Sequence, residues 1–70
     1  MKEEYIRAFN NTILGIVETD ANGDQTVRAW PSRRILGYYR KSRDCTIDFY
    51  GRIISRGNTA VGLIYQNQNK

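Results

Sequence analysis

Histidine is absent from this 70-residue chain, and cysteine and proline occur once each. The missing histidine removes the commonest general base and the commonest metal ligand. Cys45, being alone, excludes an intramolecular disulfide, and one unpaired thiol reads as a reducing, cytoplasmic setting. No apolar run approaches the roughly 18 residues that span a bilayer, so no membrane association is expected. None follows Met1-Lys2-Glu3-Glu4 either, so a secretory signal is not expected. Size is a further shortage, since a domain of this length buries only about 60% of the surface its unfolded chain exposes. Such domains usually lean on a disulfide, a metal or a partner chain. With the first two unsupported, a homo-oligomer is expected.

What the chain does have is turn chemistry between short β-prone stretches. Asp48-Phe49-Tyr50-Gly51-Arg52-Ile53-Ile54-Ser55 reads as two strands folded about a glycine turn. Two looser copies lie upstream, Ala8-Phe9-Asn10-Asn11-Thr12-Ile13-Leu14-Gly15 and Ala29-Trp30-Pro31-Ser32-Arg33-Arg34-Ile35-Leu36-Gly37. Thr26-Val27 and Thr46-Ile47 open successive units and Ile6 opens the first, the mark of one supersecondary element repeated along the chain. Phe9 and Trp30 align with either Phe49 or Tyr50, and the choice decides the face each occupies.

The pattern predicts strands over residues 4–9, 12–19, 25–30, 34–40, 45–50, 52–55 and 59–65. Strand is preferred to a helix at the N-terminus because Asn10-Asn11, tolerant of positive φ, signals a hairpin. A two-residue turn there sets Phe9 opposite Thr12, Ala8 opposite Ile13, Arg7 opposite Leu14 and Tyr5 opposite Ile16. Asp20-Ala21-Asn22-Gly23-Asp24 is the next reversal. It is not an EF-hand loop, which needs glycine sixth and a bidentate glutamate twelfth, where Pro31 sits. Pro31 ends the third strand, since proline cannot donate to a ladder. Residues 1–65 make a single β-repeat domain and residues 66–70 a polar C-terminal tail.

Apolar residues arrive as neighbours in the returning strands: Ile13-Leu14, Ile16-Val17, Ile35-Leu36, Tyr38-Tyr39, Ile53-Ile54 and Leu63-Ile64. Adjacent strand residues point to opposite faces, so both faces of the sheet want cover. The expected fold is therefore all-β, with six to seven short antiparallel strands from three tandem β-hairpin repeats. The sheet is expected to roll, or to close as a small barrel or sandwich, unless another chain covers its second face.

The run Asp48 to Asn58 resembles the YD-type repeat, roughly Tyr-Asp, two residues, Gly-Arg and an aliphatic residue. Thr19-Asp20-Ala21-Asn22-Gly23-Asp24-Gln25-Thr26 resembles the Asp-x-x-Gly-Asn linker between such repeats. Small bacterial proteins with Gly-Arg-Ile-Gly hairpins are similar too. Ile47-Asp48 replaces the Tyr-Asp pair, and Val27-Arg28 lacks the acid. The resemblance implies a β-hairpin repeat architecture and a bacterial or phage setting, and no activity.

Enzymatic constellations are sparse. Serine, threonine and Cys45 have no histidine to activate them, and most carboxylates fall in turns. Asp48 lies within a strand and is read as the partner of Arg52 or Arg28. Cys45 is read as a small buried hydrophobe, and the Asn10-Asn11-Thr12 sequon as accidental. No cofactor or metal is implied, and a non-enzymatic module that binds itself or a protein partner is expected. Net charge is +4. Arg28, Arg33, Arg34, Arg40, Lys41 and Arg43 cluster around Trp30 and Tyr38, which makes this group a candidate partner surface. Arginine on phosphate with aromatic stacking would make it a nucleic-acid surface, the second choice. Leu14, Leu36, Ile54 and Ile64 are the candidate oligomer contacts.

Overall fold

The computed structural model describes residues 2–68. Six strands follow one another, β1 (Lys2–Arg7), β2 (Ile13–Thr19), β3 (Gln25–Ala29), β4 (Ile35–Arg40), β5 (Cys45–Asp48) and β6 (Ile53–Arg56), and a helix closes the chain, α1 (Ala60–Gln68). The strands form one antiparallel meander in chain order, open at β1 and β6. Antiparallel sheet is therefore the dominant structure, as the turn signals require.

Three turns lie at one end of this sheet and share a backbone pattern. Ala8, Ala29 and Asp48 each donate an amide across the turn, to the carbonyls of Thr12, Arg34 and Arg52 at 2.8–2.9 Å. The carbonyls of the same three residues accept from Asn11, Arg33 and Gly51. Those three donor residues all have positive φ, at 75°, 62° and 88°. Each hairpin then carries a register shift of one residue. Arg7 faces Ile13 but Ile6 faces Gly15, Arg28 faces Ile35 but Val27 faces Gly37, and Ile47 faces Ile53 but Thr46 faces Ser55. Leu14, Leu36 and Ile54 are the extra residues of these bulges. The strict pairing expected in the first hairpin is corrected accordingly: Tyr5 does face Ile16, but the bulge moves Arg7 from Leu14 to Ile13.

The expected seventh strand, residues 59–65, is a helix. Its β-branched residues suit a strand, but Ala60, Leu63 and Ile64 recur at the i, i+3, i+4 spacing of one helical stripe. The Asn58 side chain accepts from the Ala60 amide at 3.1 Å and starts the first turn. Nine residues are too few to hold a helix alone, so packing must stabilise it. The stripe closes on Val17 and Val27 to make the core, flanked by Ile6, Leu14, Leu36 and Tyr39. Two glycines let the helix sit this low. A Cβ on Gly15 would lie 2.8 Å from Ile64 Cδ1, and one on Gly37 would lie 2.7 Å from Leu63 Cδ1. The helix also takes up residues 66–68 of the expected polar tail, and residues 69 and 70 lie outside the described residues.

Thr46 fixes the corner that delivers α1. Wholly buried, it donates Oγ1 to the Gly57 carbonyl at 2.9 Å and accepts from the Thr59 amide at 3.0 Å. Cys45 beside it is a free, buried thiol. No described helix is long and apolar enough to cross a membrane.

Candidate interaction surfaces

The helix packs across β2, β3 and β4 on one face of the sheet. The other face is formed by the alternate set of side chains, with Tyr5, Ile16 and Arg28 in one cross-strand row and Thr26, Tyr38, Ile47 and Ile53 in another. Among the described residues no element covers this face, and arginine side chains lie over part of it. Arg28 Nε donates to Glu18 Oε1 at 2.8 Å, and its Nη1 donates to the Arg33 carbonyl at 3.1 Å. Arg33 stands over the Trp30 ring at 5.3 Å, and Arg40 over the Tyr38 ring at 4.9 Å. Trp30 meets Tyr5 edge to face at 5.7 Å. Such stacked guanidinium groups shield apolar surface while keeping their charge in water. The hydrogen bond from Arg28 is the main reason the Glu18 carboxyl is held below its ordinary range.

Exposed apolar surface remains in the third hairpin, along the turn end and on α1, where Val61 and Tyr65 are open. Tyr50 is 79% exposed, Ile53 64% and Ile54 45%, while Phe9, at the first turn, is fully exposed. Helix α1 packs over β2 to β4, and β6 is an open edge. The two edges of the sheet differ in chemistry. β1 opens Lys2-Glu3-Glu4 and closes on Arg7, the charged sequence that blunts edge pairing. β6 carries Ile53 and Ile54 with one charge, Arg56.

A groove of about 380 Å³ opens between the second and third of the shared turns, lined by Arg34, Ile35, Leu36, Asp48, Phe49, Tyr50 and Arg52. Asp48 organises its floor. It accepts from the amides of Tyr50 and Arg52, each at 2.9 Å, and from Arg52 Nε at 3.0 Å. These bonds, the Arg52 amide first, hold its carboxyl below the usual carboxylate range. Arg52 is thus the partner of Asp48, and Arg28 belongs to Glu18.

The structure divides the residues grouped by sequence. Arg28, Trp30, Arg33, Tyr38 and Arg40 share the uncovered face, with Trp30 and Arg33 reaching the turn end. Arg34 turns the other way and donates to Asn67 of the helix at 3.2 Å. Lys41 and Arg43 lie in the exposed β4–β5 turn, at the far end of β4, where the Lys41 amide donates to Asp24. The group is therefore not one continuous surface, because β4 separates its two halves. Of the oligomer contacts, Ile64 is wholly buried in the core and Leu14 and Leu36 pack against that core. Ile64 is corrected to a core residue, while Leu14 and Leu36, half-buried against the chain's own helix, keep part of their surface open. Ile54 alone is exposed. Sequence reasoning passed over Phe9, Phe49, Tyr50 and Arg52 as surface residues, although the aromatic before each polar turn was the available signal.

No protein-family model, curated protein or solved structure matches this chain.

Proposed function

We propose that the chain is a non-enzymatic interaction module, built from three tandem β-hairpin units and working as a homo-oligomer joined at β6. The observation that carries the reading is the contrast between the two sheet edges, with exposed Ile53 and Ile54 on β6 against the charged run of β1. An open, apolar edge strand presents unpaired amides and carbonyls to another chain.

The three-unit reading is supported by the matching turns and by the matching joints between units. Ile16 faces Arg28 where the first unit meets the second, and Tyr38 faces Ile47 where the second meets the third. A fourth unit added in the same register would set Arg56 against Arg7 of another copy, and like charges directly opposite are destabilising. Head-to-tail growth into a filament is therefore disfavoured, and a closed two-fold dimer through β6 fits better. A specific dimer buries roughly 1,200–2,000 Å² in total. The four-residue β6 supplies only part of that area, so the surface flanking it joins the contact. The buried free thiol of Cys45 supports a reducing, cytoplasmic setting.

Light scattering of the parent and of Ile53→Lys tests the reading. The parent is expected at about twice 8.1 kDa and the variant at 8.1 kDa, both with β-type circular dichroism. Equal masses for the two would remove β6 as the joint.

A further inference from the structure

We infer that the turn end of the sheet is a binding track for single-stranded nucleic acid, centred on the groove between Arg34 and Arg52. Three observations meet there. The first is charge. The three turns carry Arg7, Arg33, Arg34 and Arg52 against one carboxylate, Asp48, which is already engaged by two amides and a guanidinium. The second is a row of aromatic rings at equivalent positions. Phe9, Trp30 and Phe49 each follow the residue whose amide crosses the turn, and Tyr50 stands edge to face with Phe49 at 5.5 Å. Phe9 is fully exposed, so its ring is open to stack with a ligand.

The third is spacing and volume. Successive turns are separated by two strand spacings, roughly 9.6 Å, so the row is about 19 Å long. The groove of about 380 Å³ lies within the range of small-ligand sites. It offers Phe49 and Tyr50 for stacking beside two guanidinium groups for phosphate. Arg34 is held by Asn67 and Arg52 by Asp48, so both are positioned before a ligand arrives. A polymer that presents flat rings and regular anions together matches this row. An acidic peptide supplies the anions without the rings. The site occupies the turns and not the β6 edge, so it does not depend on the dimer.

The test is fluorescence anisotropy of a short labelled oligothymidylate with the full chain, across a salt series. Binding is expected with a log–log salt slope of roughly −2, from about −0.7 for each of three phosphate contacts. Trp30 emission is expected to fall on binding. Phe9→Ser, at a site the fold does not use, should weaken binding about tenfold, as loss of one stacked base does. Arg34→Ser should reduce the slope by about one contact's share. Ile53→Ser, which removes the exposed apolar contact of β6 without adding charge beside Arg52, should bind as the parent does, which separates this inference from the dimer. Absence of binding at low salt would overturn the proposal. So would affinity unchanged in Phe9→Ser, or a polyglutamate that displaces the oligonucleotide at equal charge, because charge alone would then account for it.

Discussion

Replacing Gly37 with alanine tests how α1 is seated on the sheet. A methyl group there would lie 2.5 Å from the Ile47 carbonyl oxygen, 3.3 Å from Asp48 Cα and 2.7 Å from Leu63 Cδ1. Leu63 can change rotamer, but the β5 backbone can move only by parting from β4. Overpacking of this kind costs about 1–3 kcal/mol. A domain of 60–100 residues loses about 4–8 °C of melting temperature for each kcal/mol. Gly37→Ala should therefore melt at least about 4 °C below the parent in a circular-dichroism thermal scan. Gly62→Ala is the control. It sits on the exposed side of the same helix with nothing within 4 Å of its added Cβ. Relief of the helix penalty of glycine should raise stability by about 0.8–1.0 kcal/mol. A Gly37→Ala protein that melts with the parent would refute the close approach of the β5 backbone to Gly37.

Thr46→Val keeps the shape of a wholly buried side chain but strands the Thr59 amide and the Gly57 carbonyl; a loss of about 1–3 kcal/mol in denaturant unfolding is expected, with no loss marking the corner as dispensable. Gly51→Val forces a β-branched residue to φ 88°, and a loss above the ~0.5 kcal/mol of an ordinary surface change should appear in the same melts. Glu18 has a depressed carboxyl in the folded state, so its contribution is present above the unfolded value of about 4.3 and lost as pH falls through the lower folded value. Glu18→Gln should accordingly flatten the acid limb of a stability-against-pH curve, and an unchanged limb would show that the Arg28 pair contributes nothing.

Turn residues made the meander readable. Asn10-Asn11, Asp20 to Asp24, Pro31 and Gly51 all mark reversals, and the six strands fall between them. The apolar doublets were also visible, but their meaning was not. Ile13-Leu14 and Ile35-Leu36 look like strands buried on both faces, whereas bulges at Leu14 and Leu36 bring these residues beside the core under α1. A bulge depends on the pairing of two strands, which no single-strand pattern records. The helix was hidden because Val61, Ile64 and Tyr65 favour strands locally, and tertiary packing overrode that preference. Only the Ala60, Leu63 and Ile64 spacing pointed to it. The turn-end surface was least legible, since Phe9, Trp30 and Phe49 are far apart in sequence and fall in one row only because alternate turns share one end of the sheet.

The claim that β6 joins two copies is tested most directly by amide hydrogen exchange read separately at the two sheet edges. At micromolar concentration the amides of Ile53 to Arg56 should be more protected than on dilution, while those of Lys2 to Arg7 should not respond. Exchange at β6 that is independent of concentration would contradict the account.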